Sequence, residues 1–220
     1  MDESFGGGLG DWKTIEGKWA PAEERGSTVA RPSGTRGTLL YGTSLPQDYA
    51  LEIRFHIKGP EQVVKWFLRL ESETLKRGYY LELDTRHRRL SLHDAGAPAV
   101  PIAHAGDNLR TSSLVGWKRL KVQLRGGRIS AKLWRDRSQE PLDWTIDVLD
   151  KTHRGDRFAI QVSNGAEADP PPLIDSLKSI PFEIQDALGD PATLADHLES
   201  RFGAPRDIPA PRFEFKDLEY

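Results

Sequence analysis

At 220 residues and 37% hydrophobic content the chain can bury a full core, while its 29% charged residues balance to a formal net charge of −2. That balance offers no basic stripe to a phosphate backbone, so no nucleic-acid partner is expected, and the absence of cysteine removes disulfides, thiolate metal sites and cysteine nucleophiles. No apolar run approaches the roughly 20 residues of a bilayer span, and Met1-Asp2-Glu3-Ser4 has neither the basic nor the apolar character of a leader, so no signal peptide and no membrane insertion are expected.

Period-2 alternation, the mark of a half-buried strand, dominates the chain. Asp48–Lys58 puts Tyr49, Leu51, Ile53, Phe55 and Ile57 on one face and Glu52, Arg54 and His56 on the other, and Gly59-Pro60 ends it. Val64–Glu71 alternates Val64, Trp66, Leu68 and Leu70 against Lys65, Phe67, Arg69 and Glu71. Gly78–Asp84 alternates Tyr79, Leu81 and Leu83 against Tyr80, Glu82 and Asp84, and Arg89–His93 adds Leu90 and Leu92. Trp117–Leu124 and Arg128–Trp134 read as a hairpin about Arg125-Gly126-Gly127, whose glycines supply the positive φ of a tight turn. Phe158–Ser163 and Phe213–Tyr220 complete the set. Strands about every ten residues, without intervening helices, predict antiparallel sheets packed face to face.

One interval departs from this pattern. From Pro170-Pro171-Pro172 to Pro211 the apolar spacing is helical. Asp190-Pro191 makes an N-cap and first turn, Leu194, Leu198 and Phe202 follow at i, i+4 and i+8, and Gly203 stops the run. A weaker helix is predicted over Ile174–Leu188, interrupted by Pro181. The expectation is one all-β domain over 1–220 with a short helical insertion at about 170–211, covering a sheet edge or offering a surface to a protein partner.

The order of these signals resembles the concanavalin A-like superfamily, its laminin-G-like members and above all the 3-keto-disaccharide hydrolase-like domain. The residues that carry the resemblance are Gly10-Asp11-Trp12 with Glu16-Gly17-Lys18-Trp19, the strand Asp48–Phe55, Trp66-Phe67-Leu68-Arg69, Gly78–Asp84, Gly116–Val122, Gly155–Val162 and the closing Phe213–Leu218. It implies an antiparallel two-sheet jelly-roll sandwich with its chain ends in neighbouring strands and one concave, polar sheet. A glycan ligand and an extracytoplasmic setting, after loss of a leader, are further implications. Function itself resides in sites grafted onto such folds.

Alternation selects the exposed row. With Trp66, Leu68, Tyr79, Leu81 and Leu83 in the core, Arg69, Glu71, Tyr80, Glu82 and Asp84 face outward, joined by Gln161 and Ser163. An aromatic face with planar polar groups is what a sugar site requires, and the same pattern also describes a solvated sheet face held by cross-strand charge pairs. Glucanases of the resembled fold carry Glu-x-Asp-x-Glu on one strand. Here Glu82-Leu83-Asp84 is followed by Arg86, which leaves Glu82 without a proton donor in register, whereas retaining glycosidases need two carboxyl groups about 5–5.5 Å apart. A non-catalytic glycan-binding module is therefore the first reading. A glycoside hydrolase or lyase using Glu82 and Asp84 is the second, and a protein-interaction domain using the insertion the third.

The remaining motifs carry less. The six histidines show no metal-ligand spacing, and no Gly-x-Ser-x-Gly elbow is present. No cofactor is expected beyond the structural calcium that related folds imply, for which Asp94, Asp107 and Asp136 are the loop carboxylates at hand. Arg154-Gly155-Asp156 spells an adhesion tripeptide in a turn that needs Gly and Asp anyway. The tryptophans are expected mostly in the core, Trp134 among them, with Trp144 left open.

Overall fold

The computed structural model describes residues 2–5, 8–105, 114–164 and 170–181, within a compact unit running from Met1 to Phe182. Its strands are β1 (Asp2–Ser4), β2 (Trp12–Glu24), β3 (Ser27–Tyr41), β4 (Tyr49–Ile57), β5 (Gln62–Leu70), β6 (Tyr79–Asp84), β7 (Arg89–Asp94), β8 (Pro101–Ala105), β9 (Gly116–Arg125), β10 (Arg128–Arg135), β11 (Ile146–Leu149), β12 (Arg157–Asn164) and β13 (Leu173–Pro181). Hydrogen bonding runs in the order β11-β10-β9-β4-β13-β3-β12-β5-β6-β7-β8, with β1 on β13 and β2 on β3. Every described pairing is antiparallel.

The long β3 turns this ladder into two layers. Near its start Ala30 pairs with β13, and further along Arg36–Leu40 pairs with β12. One layer is therefore β11-β10-β9-β4-β13 and the other β12-β5-β6-β7-β8. A single apolar core lies between them, fed by Leu51, Ile53, Leu120, Val122 and Ile129 from the first and Val64, Leu68, Leu81, Leu92 and Ile160 from the second. Phe55 meets Trp66 edge-on across the layers, ring centres 5.0 Å apart. This is the face-to-face antiparallel sandwich the alternation predicts, in the jelly-roll form the resemblance implies.

The strands predicted between Asp48 and Ser163 are present. The opening hairpin β2–β3 is an addition, closed by Arg25 and Gly26 at φ 52° and 83°. β2 is largely exposed and β3 buries its residues in runs, such as Gly37–Tyr41, so the sequence carries little alternation. The turn between β9 and β10 is the two-residue Gly126-Gly127, both at positive φ, with Arg125 paired to Arg128.

The helix predicted to start at Ile174 is instead strand β13, inserted between β4 and β3. The cause is a register shift between Ile174 and Ser176. The extra residue puts Ile174 and Leu177, three apart, on the same inward face, which imitates helical spacing along the sequence. Asp175, at the irregularity, reaches Arg54 at 3.0 Å. No helix among the described residues is long and apolar enough to cross a membrane. The predicted helix at 190–203, the remainder of the insertion and the predicted strand Phe213–Tyr220 lie outside the described residues. Within them it is β13 that pairs with β1.

A second irregularity, on β5, sets where the loop before β12 can pack. A Cβ built on Gly155 would collide with the backbone carbonyls of Leu70 and Arg69, so this glycine of the tripeptide is a packing requirement. Gly155→Ala forces backbone apart at a cost of about 1–3 kcal/mol, which for a unit of this size lowers Tm by roughly 2–10 °C. Calorimetry reads this directly, and an unchanged Tm would contradict the close approach.

Candidate functional site

Cross-strand register places Ser163, Val63, Asp84 and Arg89 in one row on the outer face of the β12-β5-β6-β7 layer. Gln161, Lys65, Glu82 and Ser91 form the next row, and Ala159, Phe67, Tyr80 and His93 the third. Tyr80, Glu82, Asp84, Gln161 and Ser163 thus share a face as the alternation predicts. Several of their polar groups are already engaged with neighbouring side chains. Gln161 Nε2 donates to Thr38 Oγ1 at 3.0 Å, and the Thr38 hydroxyl donates to Glu16 at 3.0 Å. Lys65 Nζ lies 3.0 Å from Glu82. Burial alone would raise Asp84, yet two hydrogen bonds from His87 outweigh it and hold the carboxyl below its usual range.

Tyr80 is not an open stacking platform. His93, from β7, stacks on its ring at 4.8 Å and 2°, while the Lys65 ammonium, from β5 on the other side, lies 4.7 Å from the ring centre. Tyr80 also belongs to a small apolar cluster with Leu40, Phe67, Leu70 and Ala159.

Arg69 and Glu71 are not in the row. Opposite Arg157 and Ala159 of β12, β5 advances from Leu70 to Phe67, so it carries one residue too many. Arg69 takes φ 47° at this bulge. Parity inverts beyond it: Leu70 joins Phe67 on the outer face, and Arg69 turns to the end of the sandwich, where Nη2 donates to the Gln47 carbonyl at 3.1 Å. Glu71 lies at that end too, 3.1 Å from His153 Nδ1 and 3.0 Å from Arg77.

The opposite layer carries what sequence reasoning misses. Along β10, Ile129, Ala131 and Leu133 enter the core, so Trp134 takes the outer face, paired with Arg119. Trp134 is buried as expected, only 6% exposed, though on the outer face beneath surface side chains rather than between the layers. Trp117, on the neighbouring strand β9, pairs with His56 and stacks on its ring at 4.6 Å and 11°, with the Arg54 guanidinium 4.1 Å from its own ring centre. Trp144 lies under the ammonium of Lys132 at 4.6 Å. Three of the six tryptophans therefore gather on one outer face.

Planar polar groups interleave with them. Asp136 accepts from Arg54 Nε at 3.0 Å and from Arg119 Nε at 2.7 Å, and Arg119 also bonds Glu52. Burial pulls Asp136 upward, but the two guanidinium bonds prevail and keep it ionised below the normal range. Glu140 bridges Lys121 and Lys132 at 3.0 and 2.7 Å. Beside them opens a hollow of about 690 Å³, lined by Glu52, Arg54, Arg119, Trp134, Asp136 and the loop Arg137–Glu140. A second hollow of about 290 Å³ shares Arg54, Asp136 and Arg137 and continues to Trp117.

Of the three loop carboxylates put forward for calcium, two have other partners. Asp136 is committed to two cations, and Asp94 is shared between His153, at 3.2 Å, and the Gly96 amide. Asp107 lies outside the described residues, among which no set of three or more acidic, histidine or cysteine side chains is placed to hold a metal ion.

No protein-family model matches the chain, and no curated protein matches it in sequence. Solved structures match it in fold. The carbohydrate binding module CBM66 from Bacillus subtilis superposes with a TM-score of 0.55 at 19% identity, over 77% of this chain and 94% of that one. The exoplasmic/lumenal domain of VIP36, in its Ca2+/Man3GlcNAc-bound form, gives 0.55 at 14%, over 82% and 87%. A family 16 endo-glucanase from Bacteroides ovatus gives 0.60 at 8%, over 82% and 99%. The chain therefore has the concanavalin A-like jelly-roll fold.

The His56–Trp117 stack makes the outer face sensitive to acid. Burial, reinforced by the Lys58 ammonium and opposed by Glu24, pushes His56 from the usual 6.5 down to about 4. Between those values the unfolded chain binds more protons than the folded one, so this group's contribution falls as pH drops from 6.5 toward 4 and is flat above. His56→Gln should lessen the loss of Tm across that window. Equal slopes for both proteins would contradict the assignment.

Proposed function

We propose that the chain is a non-catalytic glycan-binding module whose sugar platform is the outer face of β4, β9 and β10. The observation that carries this reading is the gathering of Trp117 and Trp144 on that face, with the buried Trp134 lining a hollow edged by fixed planar polar groups. Sugars present apolar C–H patches and paired hydroxyls. Indole rings meet the first, and carboxylates and guanidiniums already locked by mutual bonds meet the second without loss of side-chain freedom on binding. A hollow of this volume is in the range of small-ligand sites. The fold shared with a carbohydrate binding module and a Man3GlcNAc-bound exoplasmic/lumenal domain supports the reading, and an extracytoplasmic setting goes with it.

The face carrying Tyr80, Glu82, Asp84, Gln161 and Ser163 is the competing surface, and it would also serve the hydrolase reading that the endo-glucanase fold keeps in view. It offers one candidate ring, Tyr80, flanked by His93 and Lys65 much as Trp117 is by His56 and Arg54, where the other face offers three, and Glu82 and Asp84 each have a basic partner at hand. A general acid needs a carboxyl held protonated near neutrality, whereas Asp84 is displaced the other way. The protein-interaction reading loses the part of the insertion that is strand β13, buried between its neighbours.

Affinity electrophoresis and glycan panels test the platform. Trp117→Ala and Trp134→Ala should each weaken retention by tenfold or more, about 1.4 kcal/mol, with the fold intact by circular dichroism. Lys65→Ala and Glu82→Gln should leave it unchanged. The reverse outcome would move the site to the other layer, and silence of the wild-type chain on every panel would end the glycan reading.

A further inference from the structure

At the end of the sandwich, away from both sheet faces, the β5 bulge delivers Arg69 into a cavity of about 250 Å³. Gln47, Asp48, the Gly126-Gly127 turn, Lys151 and Arg154 line the rest. Three cations thus face one carboxylate. Arg69 is the informative one. It is only 3% exposed, its Nη2 is spent on the Gln47 carbonyl, and its Nε has no hydrogen-bond partner among the described residues. A buried guanidinium donor left open carries a large desolvation cost unless something of opposite charge meets it. Asp48 fills that role only in part, pairing with the Nη2 end of the guanidinium. It is 3.6 Å from Nη2 and 41% exposed, and it accepts the Gly126 amide at 2.9 Å.

The walls are built in advance. Gln47 Nε2 holds the Arg154 carbonyl at 2.8 Å, the Asp150 amide holds the Gly127 carbonyl at 2.9 Å, and the Leu45 amide holds the Asp156 carbonyl at 2.7 Å. The aliphatic stem of Lys151 lies where a Cβ on Gly127 would be, so the glycine lets the ammonium-bearing chain cross the turn. Lys151 and Arg154 are exposed and need no internal partner, so they are available to close on a ligand.

We infer that this end pocket is a binding site for a compact oxyanion, a carboxylate or sulfate group carried on a ligand no larger than a monosaccharide. A guanidinium lining the cavity with two exposed cations beside it matches such a group, and a cavity of about 250 Å³ holds a ligand of that size. The inference does not rest on the tryptophan platform, which lies on another surface.

Titration calorimetry on the full chain at constant ionic strength tests it, with sodium glucuronate, sodium acetate and sodium sulfate as probes and glucose and sodium chloride as controls. Saturable heat is expected for oxyanions and not for the controls; a carboxylate-specific site responds to glucuronate and acetate, a general one also to sulfate. The double variant Lys151→Gln/Arg154→Gln, at exposed positions that keep Tm unchanged, should weaken binding at least tenfold. Arg69→Lys, which keeps charge but loses the planar fork, should weaken it as well, and Trp117→Ala should not. Absence of saturable binding at millimolar concentrations, equal response to glucose, or undiminished affinity in the double variant would each overturn the inference.

Discussion

The two-residue alternation of strand side chains decides which groups this protein can present to a ligand. In a sandwich only one side of each sheet is solvated, so a slip of one residue sends a whole set of side chains from solvent to core. Here the inward set is large and apolar: Trp66, Phe55, Tyr79 and a series of leucines and isoleucines interlock between the layers. Burial at about 25 cal/mol per Å² of apolar surface makes the reversed arrangement untenable. The outward set follows by default, and that is how Trp117 and Trp134 come to stand beside Arg54, Arg119 and Glu52.

Among the irregularities in the described pairings, two bear directly on chemistry. On β5 the extra residue removes Arg69 from the sheet face and installs it at the sandwich end. On β13 it brings Asp175 within reach of Arg54, fixing the guanidinium from one side while Asp136 fixes it from another. Bulges re-aim side chains at functional positions in many sheets. Exposed single ion pairs contribute little. The Arg54–Asp136–Arg119–Glu52 chain differs, because Asp136 is largely buried and shared, so each member holds its neighbour's rotamer.

The same two features mark how far the sequence can be read. The strands from β4 to β12 with regular alternation are legible because apolar and polar residues take turns, as in Tyr49 to Ile57 and Tyr79 to Asp84. The hairpin β2–β3 is not, since β2 is largely exposed and β3 buries its residues in runs. Bulges have no sequence signature of their own: Ile174 and Leu177 have helical spacing, and Arg69 reads as a neighbour of Tyr80. Five of the seven residues chosen for the sheet face do share it, yet the contacts that occupy them, Lys65 on Glu82 and His93 on Tyr80, come from other strands and need the register to be seen. Trp134 invites a core assignment, although the period through Leu133 points it outward.

The indole N–H signals of the six tryptophans in an NMR titration with a bound glycan test the central claim most directly. The account predicts that Trp117, Trp134 and Trp144 shift together while the core residues Trp12, Trp19 and Trp66 stay in place. Stationary signals for the first three, with shifts confined to amides around Lys65, Tyr80 and Glu82, would contradict it.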